Sequence, residues 1–185
     1  MVTRPHLPGL DPLTWLPNRV LFEARLVRAV RDMERRNARL ALLLIDLDRM
    51  DSVNAGLGRD LGDRVLREAA GRMARSLGAS ATLSRLESDD FAAFLEVTDL
   101  AAAAKHAAAL LERCRAPYVI DCVAVTLTAS IGIAVHEPGG EGPAALFARG
   151  ERALNQAKIR GRDRFYPGPY PGPYPGPTPS LRQKD

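Results

Sequence analysis

The stretch Leu83-Ser84-Arg85-Leu86-Glu87-Ser88-Asp89-Asp90-Phe91-Ala92-Ala93-Phe94-Leu95-Glu96 concentrates residues that could do chemistry. Glu87 to Asp90 form a polar, acidic cluster between Leu83 and Leu86 on one side and the apolar run Phe91 to Leu95 on the other. The pattern predicts a hairpin over residues 81–96 with carboxylates in its turn. Carboxylates held this way suit a hard divalent cation. The same residues suit an ordinary solvated turn, because short polar side chains bond their own backbone there. The turn alone does not choose between the two.

A second acidic cluster lies upstream. Leu40 to Ile45 is an unbroken apolar run, followed by Asp46-Leu47-Asp48. A short apolar run bounded by polar residues predicts a central strand buried on both faces. Carboxylates at its carboxyl end fall where open α/β sheets hold ligands.

The remaining elements must position these two clusters. Asn18 is a good N-cap for a helix from Arg19 to about Arg36, where Leu21, Phe22, Leu26, Ala29, Val30 and Met33 recur at helical spacing. Its arginines read as a solvated face. Residues 49–61, polar and rich in Gly and Asn, suggest one helical turn and a loop. A second amphipathic helix is expected from Gly62 to Leu77, with Gly78 as its C-cap. Thr98 is expected to cap an alanine-rich helix from Asp99 to about Arg115, ended by Pro117. Tyr118 to Ile120 and Val123 to Val135 read as a hairpin around Asp121-Cys122, although Asp-Gly would suit a type I′ turn better. Pro143 opens a last helix to about Arg160, Gly161 stops it, and Arg164-Phe165 add a short strand. Helices and hairpins in this order predict an α+β fold, one mixed central sheet flanked by helices.

Bulk properties narrow the function. With 185 residues, 46% of them hydrophobic, the chain can bury a real core. Its net charge of +4 comes from interspersed charges, which gives no reason to expect a nucleic-acid partner. No apolar run reaches the roughly 20 residues that span a bilayer, and the first residues lack a signal-peptide core. The expectation is no membrane segment and a cytoplasmic location. Cys114 and Cys122 have no metal-type spacing and read as free thiols; His6, His106 and His136 are scattered.

Three organisational units are expected: an irregular lead-in over 1–10, a domain over 11–165 and a tail over 166–185. The tail begins with three copies of Tyr-Pro-Gly-Pro, starting at Tyr166, Tyr170 and Tyr174. Proline and glycine at this density predict an extended, polyproline-like, disordered segment. It reads as a solubilising tail or a docking peptide.

Several separated stretches resemble one family, the GGDEF domain, the diguanylate cyclase module of bacterial second-messenger signalling. Asp11-x-Leu13-Thr14-x-Leu16-Pro17-Asn18-Arg19 is similar to its opening signature, with Trp15 where glycine is usual. Leu44-Ile45-Asp46-Leu47-Asp48-Arg49-Met50 resembles its first metal strand, and Asn54, Gly58, Gly62 and Asp63 fall at its nucleotide-loop spacing. Ser130-Ile131-Gly132-Ile133-Ala134 and Ala157-Lys158-x-x-Gly161-Arg162 resemble its late strand and closing signature.

The resemblance implies a nucleotide-cyclase-like fold and a site. Asp46, the carbonyl of Leu47 and Asp89 would bind Mg²⁺. Asn54 and Asp63 would read the guanine edge, while Lys158 and Arg162 would hold phosphates. Asp89 and Asp90 would be the catalytic carboxylates of an active member. GTP would be the ligand, and a homodimer is needed only for catalysis, where two domains face each other to form cyclic di-GMP.

The departures from the family pattern matter most. Glu87-Ser88-Asp89-Asp90-Phe91 stands where Gly-Gly-Asp/Glu-Glu-Phe is usual. Ser88 brings a Cβ to a position that can require positive φ. Asp51 replaces a usual lysine in the phosphate loop. If Asp51 and Glu87 approach the phosphates, each costs on the order of 1–3 kcal/mol; alternatively Asp51 swings into solvent. The family's Arg-x-x-Asp product site would fall at Gly78-Ala79-Ser80-Ala81 and is absent. The domain begins about ten residues into the sequence, so no dimerising element is expected from these residues; a fragment of a longer protein is the alternative. The expected function is a degenerate, catalytically impaired domain that binds guanine nucleotide or regulates a partner signalling protein. The alternatives are an active diguanylate cyclase and a nucleotide-free scaffold.

Overall fold

The computed structural model describes residues 8–169. Its centre is β1 (Arg39–Asp48), the apolar run expected as a buried strand. β1 is hydrogen-bonded on both sides, antiparallel to β3 (Asp90–Val97) and antiparallel to β6 (Thr128–His136). β2 (Thr82–Glu87) pairs with β3, and β7 (Arg164–Pro167) pairs with β6 in parallel, giving the order β2-β3-β1-β6-β7. The fold is α+β, a mixed sheet flanked by helices.

The period of two along β1 divides the core. Ala41, Leu43, Ile45 and Leu47 face one layer, and Leu40, Leu42 and Leu44 face the other. The first layer contains α3 (Arg59–Leu77) and α4 (Leu100–Arg115), with Met50 and Val53 of α2 (Met50–Leu57). The second contains α1 (Arg19–Arg36) and α5 (Pro143–Ile159), where Phe22 meets Phe94 at a ring-centroid distance of 5.4 Å. Asp46 and Asp48 continue the even series, so their side chains belong to the α1/α5 face. Among the described residues no helix is long and apolar enough to cross a membrane.

Several local expectations are corrected. Residues 50–57 form a helix of their own, because Met50 and Val53, one turn apart, bury into the core. Gly58, at φ +85°, is the only break before α3. Asp99, not Thr98, caps α4, its carboxylate accepting from the Ala102 N–H at 2.7 Å. The expected hairpin strand over 123–135 is two strands: β5 (Val123–Val125) pairs with β4 (Tyr118–Ile120) in a separate two-stranded sheet, and β6 begins at Thr128. Asp121 and Cys122 both take positive φ, +48° and +65°, so the tight turn forms without glycine.

Tyr166 and Pro167, assigned to the tail from composition, belong to β7, and the Gly168 N–H donates to the Ile133 carbonyl at 2.7 Å. In the lead-in, Leu10 bridges to Pro17. The rest of the tail expectation and residues 1–7 lie outside the described residues.

α5 seats directly on β6 through glycine. A Cβ on Gly132 would lie 2.3 Å from the Gly150 carbonyl oxygen and 2.3 Å from the Leu154 nitrogen. Both are backbone atoms, so relief requires moving the helix. Gly132→Ala is expected to lower unfolding free energy by about 1–3 kcal/mol or more, measured by denaturant titration. Unchanged stability would show that α5 does not pack this closely.

Candidate nucleotide and metal site

The two acidic clusters meet. Asp46 stands opposite Asp90 in the β1–β3 register, and the Leu47 N–H donates to the Asp89 carbonyl at 3.3 Å. The β2–β3 turn is formed although its glycines are replaced. Ser88 takes φ +44°, the left-handed region, at a cost of about 1 kcal/mol.

The turn is held from outside. The Arg85 guanidinium donates to the Ser88 carbonyl at 2.7 Å and reaches both Asp11 carboxylate oxygens at 3.2 Å. Asp11 in turn accepts from the Thr14 N–H and hydroxyl at 2.7 and 2.6 Å. Burial alone would raise the Asp11 carboxyl, but the Thr14 hydrogen bonds and Arg85 outweigh it and hold it below the usual range. The opening segment thus acts as a clamp on the acidic turn.

Lys158, near the end of α5, supplies the counter-charge, its Nζ lying 2.5 Å from Asp46 Oδ2. The remaining carboxylates feel their crowding. Asp90 is pushed up to about 6, first by burial and then by the charge of Asp46, with Lys158 opposing. Asp89 is also raised, by burial and then by the charges of Asp46 and Asp51, while hydrogen bonds from its own N–H and Ser88 oppose.

The second aspartate of β1 does something else. Asp48 is buried and accepts from the Thr128 hydroxyl at 2.6 Å, the Ser130 hydroxyl at 2.8 Å and the Asp163 N–H at 3.2 Å. It fastens the segment after α5, where Arg162 and Asp163 take φ +61° and +48°. Arg115 of α4 grips the same segment, donating to the Asp163 carboxylate at 2.8 Å and to its carbonyl at 3.1 Å. Sequence reasoning placed Asp48 among the carboxylates at a ligand-holding strand end, not as a structural anchor, and assigned no role to Asp163 or Arg115. The one available signal was the Asp-x-Asp spacing, which puts both carboxylates on one strand face. Arg162 itself is exposed, its Nε 3.8 Å from Asp48 Oδ1.

Asn54 and Asp63 lie on neighbouring helices. A Cβ on Gly62 would sit 1.9 Å from Asn54 Oδ1, so the Asn54 amide rests against the glycine that precedes Asp63. Both side chains are half-buried.

Among the described residues no group of three acidic, His or Cys side chains could hold a metal ion unaided. Asp46 and Asp89 are near enough that the Asp46 charge raises Asp89, and both offer hard oxygens. They fit Mg²⁺ shared with phosphate oxygens rather than caged by protein alone.

The family profile described as "Diguanylate cyclase, GGDEF domain" matches residues 9–164. The chain belongs to the GGDEF family. It is 38% identical over 153 residues to the bifunctional diguanylate cyclase/cyclic di-GMP phosphodiesterase MucR of Pseudomonas aeruginosa, covering 83% of this chain and 22% of MucR. The crystal structure of the GGDEF domain alone of TpbB, from the same organism, superposes with a TM-score of 0.83 at 36% identity, covering 86% of this chain and 94% of that one. The P. aeruginosa diguanylate cyclase SiaD, solved in complex with its activator SiaC, gives 0.81 at 31% identity, covering 87% and 62%. The chain spans 22% of MucR and 37% of full-length TpbB, so these GGDEF relatives carry much more than the shared domain.

The raised carboxyls set a pH dependence for the GGDEF domain. Asp90 binds its proton more tightly folded than unfolded, so the native state holds more protons between the ordinary carboxylate value of 3.8 and about 6. Stability contributed by protonation is present below that window and lost as pH rises through it. Without metal or nucleotide, the melting temperature is expected to fall across this window, and Asp90→Asn to flatten the fall. A wild-type slope retained in Asp90→Asn would assign it to other groups.

Proposed function

We infer that this GGDEF domain is a Mg²⁺-dependent guanine-nucleotide-binding module of cyclic di-GMP signalling with impaired turnover. The observation that carries the reading is the meeting of the two acidic clusters, with Asp46 opposite Asp90 and the Leu47 N–H on the Asp89 carbonyl. Asp51, on the opening turn of α2 in place of the lysine usual in the family, adds to the raising of Asp89 after burial and Asp46. Lys158 is paired with Asp46, and the exposed Arg49 and Arg162 line one cavity together with Asp48.

The chain's residues divide the work. Asn54 and Asp63 offer an amide and a carboxylate to the guanine edge. Lys158 and Arg162 hold phosphate oxygens, the latter with a planar fork. Asp46, the Leu47 carbonyl and Asp89 hold Mg²⁺, which when bound neutralises phosphate charge and polarises the phosphoryl group. Asp90 can hold a proton near neutral pH. The two free cysteines, Cys114 and Cys122, and a GTP ligand fit the cytoplasm.

The formed hairpin favours a second reading, an active diguanylate cyclase. Ser88 already occupies the left-handed conformation, so the replaced glycines have not opened the turn. Cyclisation would then need two such domains face to face, with Asp89 and Asp90 as the catalytic carboxylates. A sensor would instead act on a partner signalling protein, as SiaD has its activator SiaC.

Calorimetric titration of the chain with GTP and Mg²⁺, with cyclic di-GMP assayed in the same samples, separates the readings. Binding without product is expected. Asp51→Lys is expected to tighten GTP by about one to two powers of ten and to tighten GMP less. Equal effects on both nucleotides would place Asp51 away from the phosphates. Product from the unaltered chain would establish the cyclase. No binding up to millimolar GTP in either form would leave a scaffold.

A further inference from the structure

At the outer edge of the sheet, far from the acidic turn, the chain carries a second built site. Its occupant is the first Tyr-Pro-Gly-Pro unit. The Tyr166 ring lies under the Arg160 guanidinium at 4.9 Å. Pro167 pairs with Ile133 in parallel register on an edge strand, where a missing N–H costs no ladder bond on the solvent side. Gly168 is buried, and its N–H donates to the Ile133 carbonyl at 2.7 Å. The Pro169 carbonyl accepts from Arg149 Nη1 at 2.9 Å.

Arg149 is the floor of the seat. It is 9% exposed, donates through Nη2 to the Val135 carbonyl at 2.6 Å and pairs with Glu141 at 2.6 Å. Its Nε is buried without a partner. Pinned this way, Arg149 selects the third residue of the unit. A Cβ on Gly168 would lie 2.9 Å from Arg149 Cγ and 3.3 Å from the carbonyl oxygens of Arg149 and Ile133. Cγ is near the root of a held side chain, so it cannot give way cheaply.

Composition marks the unit as tail, yet each of its four residues has a specific contact. The sequence then repeats the unit twice, from Tyr170 and from Tyr174. We propose that the groove between the β6 edge and Arg149 is a recognition site for Tyr-Pro-Gly-Pro, and that the three tandem units are interchangeable ligands for it. Register change is in steps of four residues. The displaced unit leaves as a loop, for which Pro-Gly at the centre of a turn is well suited. Tethering keeps the spare units at high effective concentration. The seat lies along the same strand that continues from Arg162 and Asp163, so its occupancy anchors the segment that Asp48 and Arg115 hold at the other end.

The test compares two full-length variants, Gly168→Ala and the triple Gly168→Ala/Gly172→Ala/Gly176→Ala. The readout is solvent exchange of the Arg149 guanidinium protons by NMR, which reports a filled seat whichever unit fills it. With interchangeable units, Gly168→Ala is expected to speed exchange by about twofold or less, because two units remain. The triple variant is expected to speed it by about tenfold or more, through the lost hydrogen bonds. Equal, large effects in both variants would show that only residues 166–169 can sit there and overturn the exchange. No effect in either would overturn glycine selection by the seat.

Discussion

Two carboxylates directly opposite each other in an antiparallel strand pair repel, and the arrangement of this molecule follows from having to keep such a pair. Asp46 and Asp90 are fixed in register by eight consecutive β1–β3 partners and by the apolar residues that alternate behind them. A slip of one residue would turn Leu43 and Ile45 to the wrong face, so the core enforces the repulsion. Lys158 offsets part of it, and Asp90 is still raised, first by burial and then by the charge of Asp46. On the proposed function, this is the place where a divalent cation would stand in for the internal ammonium and the proton.

Delivering that lysine requires a second set of constraints. α5 reaches the acidic end because glycines let it lie against β6 and β1. Gly132 meets helix backbone, and Gly150 would put a Cβ 3.2 Å from Leu44. Beyond the helix, the chain must reverse within three residues at positive φ, from Gly161 at +106° to Asp163 at +48°. Left-handed non-glycine residues persist when their surroundings over-determine them. Here the buried Asp48 and the guanidinium of Arg115 do so from opposite sides. Arg162 is held by that grip and by its own backbone, its N–H donating to the Ala157 carbonyl at 3.1 Å and its carbonyl accepting from Arg164 at 2.9 Å.

What was legible in the sequence follows from periodicity. β1, α1, α5 and the acidic hairpin come from long or sharply bounded patterns, whereas the meeting of Asp46 with the turn was legible only through the family resemblance. The misses have physical causes. α2 is two turns long with two buried residues, too short for a period to register among polar and glycine positions. Thr98 and Asp99 are adjacent N-cap formers, and only the path of the chain decides between them. The run 123–135 divides at Thr126-Leu127 with no Gly or Pro, because Leu127 turns inward to the core. The seat for Tyr166 to Pro169 was hidden because composition describes a repeat, whereas Arg149 reads one copy of it. Asp48 was hidden for the opposite reason: its partners Thr128, Ser130 and Asp163 are 80 or more residues away.

The geometry also separates two kinds of recognition that the departures affect unequally. The Asn54 amide rests across the α2–α3 junction against Gly62, the neighbour of Asp63, and this packing involves none of the altered residues. Asp51 and Glu87 act elsewhere, the first on the opening turn of α2 and the second on the exposed hairpin turn. Their penalty is coulombic and scales with the charge of what binds, whereas the hydrogen bonds to a guanine edge do not. On the proposed function, a carboxylate in place of a lysine would leave base discrimination standing while it disfavoured the most highly charged nucleotide. The same carboxylates add to the attraction for Mg²⁺, which cancels phosphate charge, so metal and triphosphate become more tightly linked than they would be with the lysine. On this argument the altered turn and loop change which guanine nucleotide the domain prefers, and under what metal supply, before they change whether it recognises guanine at all.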